Sequence, residues 1–191
     1  MSATVPREIE VKLRMESVEP LVRAGLTLQV ETARHFEENW LLDTDDSFLG
    51  AREAILRVRG TGERGAITYK EKAPAGAPAS QFKQRIEIET SIGDPAAAVM
   101  IFERLGFHGW FRYQKYRTVY RAELPSRASL RAMFDETPLG NFVELEGEEE
   151  AIAEAVKLIE VTPGDYILDS YLALQAQHCE KLGKPLEDMM F

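Results

Sequence analysis

Hydrophobic and charged residues alternate with period two in several separate stretches of the chain. Residues 8–13 read Glu-Ile-Glu-Val-Lys-Leu, so an extended backbone sends Glu8, Glu10 and Lys12 to one face and Ile9, Val11 and Leu13 to the other. The same grammar returns at Leu56-Arg57-Val58-Arg59, at Thr68-Tyr69-Lys70-Glu71-Lys72 and at Lys83-Gln84-Arg85-Ile86-Glu87-Ile88-Glu89. It appears again at Lys115-Tyr116-Arg117, running on to Arg121, and at Val143-Glu144-Leu145-Glu146. Each segment predicts a β-strand with one charged face. An ordinary antiparallel sheet with its charged face in water accounts for any one of them. Solvent faces mix small polar residues with charges of both signs, however, and here the signs are sorted by strand. A closed barrel with a polar interior and an apolar exterior packed against helices fits all of them together.

Between these strands the pattern predicts four helices. Residues 16–25 read as a short helix starting near Ser17, with Pro20 tolerated only in its first turn. Asp94-Pro95 before 96–105, with Gly106 after it, combines an acidic N-cap, a proline at the first helical position and a terminating glycine. Residues 148–160 repeat Ile152, Val156 and Ile159 at helical spacing, and a last helix runs from after Asp165 through Tyr171 and Leu174 toward Gly183. The tail, 186–191, is either mobile or docked through Met189, Met190 and Phe191. Residues 60–65 read as a hairpin turn, and 73–80, with Pro74, Gly76 and Pro78, as either a lid or a plain connector.

With 191 residues, one domain of class α+β is expected, its core over about residues 7–172 with the C-terminal helix and tail over 173–191. No apolar run approaches the roughly 20 residues of a membrane span, and the start, Met1-Ser2-Ala3-Thr4-Val5-Pro6, lacks the regions of a signal peptide. A cytoplasmic protein without membrane contact is the expectation. Cys179 is the lone cysteine and reads as a helix-face residue. A net charge of −9 argues against binding a nucleic-acid polymer but not against a small polyanion, since the basic residues concentrate on particular strands. Glu37, Glu38, Asp45, Asp46 and Glu148 to Glu150 read as solvated faces and caps, and His35, His108 and His178 as surface or packing residues.

The ordered set of motifs resembles the CYTH superfamily, the triphosphate tunnel metalloenzymes, and most closely its class IV adenylate cyclase-like branch. The motifs are Glu8-x-Glu10-x-Lys12, Leu56-Arg57-x-Arg59, Thr68-Tyr69-Lys70, Arg85-x-Glu87-x-Glu89, Lys115-x-Arg117, the Asp135 segment and Phe142-Val143-Glu144-Leu145-Glu146-Gly147. The resemblance implies a closed eight-stranded antiparallel tunnel that binds a triphosphate and a divalent metal. Two departures stand out. Thiamine triphosphatases carry a tryptophan where this chain has Ile55, which argues against a thiamine substrate. Leu41-Leu42-Asp43-Thr44 replaces the usual aromatic pair before the aspartate.

A triphosphate carries close to about four negative charges, so its site needs several cations beside the metal. Lys12, Arg57, Arg59, Lys70, Lys83, Arg85, Lys115 and Arg117 are the candidate substrate-binding residues. Adjacent carboxylates on one strand face repel unless a cation lies between them, which points to Glu8, Glu10, Asp135, Glu144, Glu146 and Glu89 as metal ligands. Glu87 and Glu89 are equally suited to orienting the basic residues through ion pairs. Hard oxygen donors fit magnesium or manganese, and no zinc spacing is present. Glu8, Glu10, Lys12 and Glu144 are the candidate catalytic set; Lys72 and Arg121 are equally well placed as solvent-facing strand ends. Three functions stay open. Hydrolysis of the terminal phosphate of inorganic or nucleoside triphosphate needs only the grip and water, and is preferred because no adenine-reading motif stands out. The alternatives are an adenylate cyclase releasing cyclic AMP and pyrophosphate, and a non-catalytic polyphosphate or nucleotide binding module. The oligomeric state is open, a homodimer being one option.

Overall fold

The computed structural model describes residues 7–73 and 79–191. The alternating segments become strands β1 (Arg7–Arg14), β3 (Ile55–Gly60), β4 (Gly65–Lys72), β5 (Lys83–Ile92), β6 (His108–Glu123) and β8 (Gly140–Glu146). Two more, β2 (Thr27–Asp43) and β7 (Ser129–Thr137), complete the set. The order β1-β5-β4-β3-β2-β6-β7-β8 closes on itself, because β1 pairs antiparallel with both β5 and β8. A closed ring leaves no unpaired edge and has only an inside and an outside. β2 stands diametrically across it from β1.

Period-two alternation then decides what each face holds. On one outer side Ile9, Val11, Leu13, Val143 and Leu145 pack with Ile152, Ala155 and Val156 of α3 (Glu149–Leu158). On the other, Leu42, Leu56 and Val58 pack with Ala98 of α2 (Pro95–Arg104). Each such side chain stabilises the fold by about 1.5–3 kcal/mol, so the outside of the ring is the hydrophobic core. α2 begins as its sequence predicts: Asp94 accepts a hydrogen bond from Ala97 N at 2.9 Å and Pro95 opens the first turn. The helix expected over 16–25 is reduced to α1 (Glu19–Arg23), since Gly25 adopts a positive φ of 93° and turns the chain into β2.

One end of the ring is filled. α4 (Tyr171–Lys181), capped by Ser170 Oγ accepting from Ala173 N, sends Tyr171 among Leu41, Phe111, Tyr113 and Phe142. Met189 joins this plug, and the tail docks: Met189 N donates to Arg112 O at 3.0 Å and Gln114 N donates to Met189 O at 2.9 Å. Phe191 packs against Tyr116 with ring centroids 5.4 Å apart and planes tilted by 50°. Residues 74–78, most of the segment expected to be a lid or connector, lie outside the described residues. Among the described residues no helix is long and apolar enough to cross a membrane.

The β3–β4 hairpin leaves no room at its base. A Cβ on Gly65 would lie 2.0 Å from Arg59 O and 2.6 Å from Pro95 Cγ. Gly65→Ala is expected to lower stability by about 1–3 kcal/mol, because backbone and α2 must both shift. Gly93→Ala, which meets nothing within 4 Å, serves as the control. Urea unfolding midpoints check the difference, and equal midpoints for the two variants would refute the close approach.

Candidate functional site

The inner face of the ring surrounds a cavity of about 520 Å³, within the range of ligand pockets. Its lining includes Glu8, Glu10 and Lys12 of β1, Arg57 and Arg59 of β3, Lys70 of β4, and Lys83, Arg85, Glu87 and Glu89 of β5. Lys115 and Arg117 of β6 and Glu144 and Glu146 of β8 complete the charged set predicted from sequence. All sit at inward positions because the two-residue spacing keeps them on one face. The walls differ. Carboxylates gather on the neighbouring strands β1 and β8, whereas β3 and β6, on either side of β2 across the ring, carry guanidinium and ammonium groups.

On the carboxylate wall, register places Glu10 between Lys83 and Glu146, and Lys12 opposite Glu144. Lys70 Nζ donates to both Glu8 oxygens, at 2.8 and 2.6 Å, and lies 3.2 Å from Glu87. Lys83 Nζ donates to Glu10 at 2.7 Å, and Lys12 Nζ lies 3.2 Å from Glu144 while donating to Asp169 O at 2.9 Å. Burial, reinforced by Glu10, pushes the Glu8 carboxyl up to about 8 against the pull of Lys70. Burial also pushes the Glu146 carboxyl up, only partly offset by Arg131. At Glu10 burial acts in the same sense, but Lys83, Lys70 and Lys12 outweigh it and hold the carboxyl below its usual range. This wall therefore holds more buried carboxylate than its lysines neutralise.

The opposite wall is braced from behind. Asp135 is fully buried and accepts from Arg117 Nε and Nη2 (both 2.6 Å), Lys115 Nζ (2.9 Å) and the Tyr171 hydroxyl (2.6 Å). Arg117 also reaches Glu144, linking the two walls. Arg57 donates to Tyr113 Oη at 3.2 Å and Thr68 Oγ1 at 3.1 Å, while Arg59 donates to both Glu89 oxygens, at 3.1 and 3.0 Å. Arg57 Nε, Glu37 Oε2 and both amide atoms of Asn39 are buried with no hydrogen-bond partner in the protein. Of these residues Arg57 and Glu37 line the cavity, and the Arg57 donor is the one that suits an anionic ligand.

Most of the predicted constellation thus converges on one cavity, with exceptions. Asp135 does not line the cavity; beside Arg117 in register, it is covered by four donor atoms of Arg117, Lys115 and Tyr171. Glu89 does line it, paired with Arg59 and Thr68. Lys72 pairs with Glu53 on the surface at 3.0 Å, and Arg121, on the same face of β6 as Lys115 and Arg117, is exposed beyond the cavity. Two expectations are corrected. His35, expected as a surface or packing residue, lines the cavity, and Glu37, expected in solvent, is 2% exposed inside the ring. Both lie on β2, where no alternating pattern pointed inward. Tyr171, over whose ring Lys12 Nζ sits at 4.5 Å, was also not anticipated as part of the site.

Among the described residues no group of three His, Cys, Asp or Glu side chains is gathered closely enough to enclose an ion. The chemistry of the donor set nevertheless fits a hard divalent cation. Glu8, Glu10, Glu144 and Glu146 offer only oxygen, burial pushes the carboxyls of Glu8 and Glu146 up, and the lysines beside Glu8 and Glu10 are flexible point charges.

Among curated proteins none matches the chain. Solved structures share its fold. A Vibrio parahaemolyticus protein provisionally described as an adenylate cyclase is 17% identical, with 88% of this chain and 97% of that one covered at a TM-score of 0.67. A conserved hypothetical protein from Pyrococcus furiosus is 24% identical over 87% of this chain and 99% of that one, with a TM-score of 0.64. A Hippeastrum protein described as a provisional adenylyl cyclase with a dominant triphosphatase activity is 18% identical over 94% and 97%, with a TM-score of 0.55. Residues 6–163, most of the chain and all eight strands, match the CYTH domain, and the chain belongs to the CYTH domain family.

Proposed function

We propose that this chain is a divalent-metal-dependent enzyme whose ring is a triphosphate tunnel, hydrolysing the terminal phosphate of inorganic or nucleoside triphosphate. The observation that carries the reading is the division of one cavity into a basic wall and a carboxylate wall that face each other. A polyanion laid between them meets Arg57, Arg59, Lys115 and Arg117 on one side, and the carboxylates of β1 and β8 hold its counter-ion on the other. Arginines grip phosphate oxygens in pairs, and Asp135 fixes the aim of Arg117 and Lys115 before the ligand arrives. Glu8, Glu10, Glu144 and Glu146 would hold magnesium or manganese, which when bound neutralises phosphate charge and makes a water more acidic. Lys12, between Glu144 and the Asp169 carbonyl, offers a fixed positive charge to the departing phosphate oxygens. Attack by the water oxygen on the terminal phosphorus breaks its bond to the bridging oxygen, releasing orthophosphate and leaving a diphosphate. The proton lost by the water passes to a wall carboxylate that is ionised and not engaged in holding the metal.

Val119 and Met133, paired in register, give the same cavity an apolar stretch beside its charged walls, which leaves cyclisation of a nucleoside triphosphate as the second reading. Phosphorus NMR of purified protein with magnesium or manganese separates the two. Orthophosphate from tripolyphosphate or ATP, with little cyclic AMP, is the expected result. Dominant cyclic AMP and pyrophosphate would replace hydrolysis by cyclisation, and binding without any product would make the chain a binding module.

A further inference from the structure

Of the carboxylates on β2, the strand at the centre of the basic wall, Glu37 is the one that lines the cavity. Its neighbours across the ladders are the cations themselves: Lys115 Nζ lies 3.6 Å from Oε2 and Arg59 Nη1 3.6 Å from Oε1. A polyphosphate bound to those two groups lies beside a buried negative charge, which opposes it. His35, two residues earlier on the same inner face, answers this charge. Its Nδ1 lies 2.9 Å from Ala33 O and its Nε2 3.3 Å from Glu37 Oε1. A carbonyl and a carboxylate are both acceptors, and only an imidazolium has a proton for each.

We propose that His35 and Glu37 form a proton-carrying dyad within the anion-binding wall, and that a triphosphate binds tightly only while His35 holds the proton that neutralises Glu37. The idea rests on the triphosphate reading of the cavity and adds to it a positioning pair and a pH dependence. With His35 charged the dyad is neutral; with His35 neutral it presents one negative charge to the ligand. The charged groups facing the imidazole are Glu37 on its own strand and Arg117, its register partner on β6. Lys115 and Arg59 act on it through Glu37, while Arg34 and Glu136 pair with each other outside the ring. The hydrogen bond to Glu37 raises the His35 pKa, burial and Arg117 oppose it, and the balance lies above the usual histidine value.

The sign follows directly. Affinity is greatest below the His35 pKa and falls as pH rises through it, approaching about tenfold per pH unit for one linked proton. Titration calorimetry of tripolyphosphate in EDTA, between about pH 6 and 9, tests this in the wild-type chain, His35→Gln and His35→Lys. Tripolyphosphate's own titration is common to all three. The wild type is expected to lose affinity more steeply than His35→Gln, which keeps a donor to Glu37 but cannot charge. His35→Lys, charged throughout the range, is expected to hold the low-pH affinity. Parallel pH profiles for the wild type and His35→Gln, with tripolyphosphate bound by both, would overturn the dyad alone. A folded wild-type chain that binds no tripolyphosphate at any pH would overturn the triphosphate reading and the dyad with it.

Discussion

Asp135→Asn is expected to lower the unfolding free energy by about 3–5 kcal/mol and to weaken tripolyphosphate binding together with it. The carboxylate is completely buried and takes four hydrogen bonds from Arg117, Lys115 and Tyr171. An amide keeps one acceptor oxygen and turns a donor toward a site where Arg117 and Lys115 are donors only. Arg117 and Lys115 are left buried with their compensating charge gone, and this orphaning, rather than the lost attraction, makes the change so costly. The effect on binding follows because those two cations are aimed by Asp135. Urea unfolding read by circular dichroism gives the first quantity, and calorimetry on the folded fraction the second. A loss below about 1 kcal/mol would show that the network does not brace the wall. Loss of metal affinity with full stability would return Asp135 to the ligand role expected from its motif.

Why the sequence revealed one half of the site and hid the other is visible on β2. On β1, β3 and β8 the outer positions are apolar, Ile9, Val11, Val58 and Leu145 among them, because helices pack over them. Charges at the inner positions then produce a clean period of two. β2 lacks that contrast. Its outer face carries its own ion pairs, Arg34 with Glu136 and Glu38 with Arg112, so polar residues stand on both sides of the strand. Register shifts between Val30 and Thr32 and between Thr32 and His35 break the parity as well. Nothing in the pattern could tell that Glu37 points inward and Glu38 outward. The plug was hidden for a related reason: Phe111 and Phe142 occupy inward positions at the end filled by α4, where the rule that inward means charged no longer holds. α2, by contrast, was legible from Asp94-Pro95 alone, since its cap is a purely local device.

Glu8→Gln and Glu10→Gln, made singly, are expected to abolish metal-dependent turnover, by a factor of about a hundred or more, while each chain stays folded. The two carboxylates share one face of β1, and Glu146 stands beside Glu10 in register, so three oxygen-bearing side chains adjoin, offset by Lys70, Lys83, Lys12 and Arg131. Burial has already pushed the Glu8 carboxyl up, so removing its charge relieves the site and metal-free Glu8→Gln should be no less stable than the wild type, whereas Glu10, where burial is outweighed by Lys83 and the carboxyl is held below its usual range, should lose stability as Gln. A purely structural Glu8–Lys70 pair predicts the reverse at Glu8: with Lys70 left buried opposite a neutral amide, stability falls and turnover follows only through unfolding. The two roles thus separate in a pair of measurements, a magnesium or manganese titration of activity and a urea midpoint without metal. Activity lost at unchanged midpoint in Glu8→Gln places the cation on β1. Full activity in both variants would remove Glu8 and Glu10 from the metal site and leave β8 as the wall that must hold it.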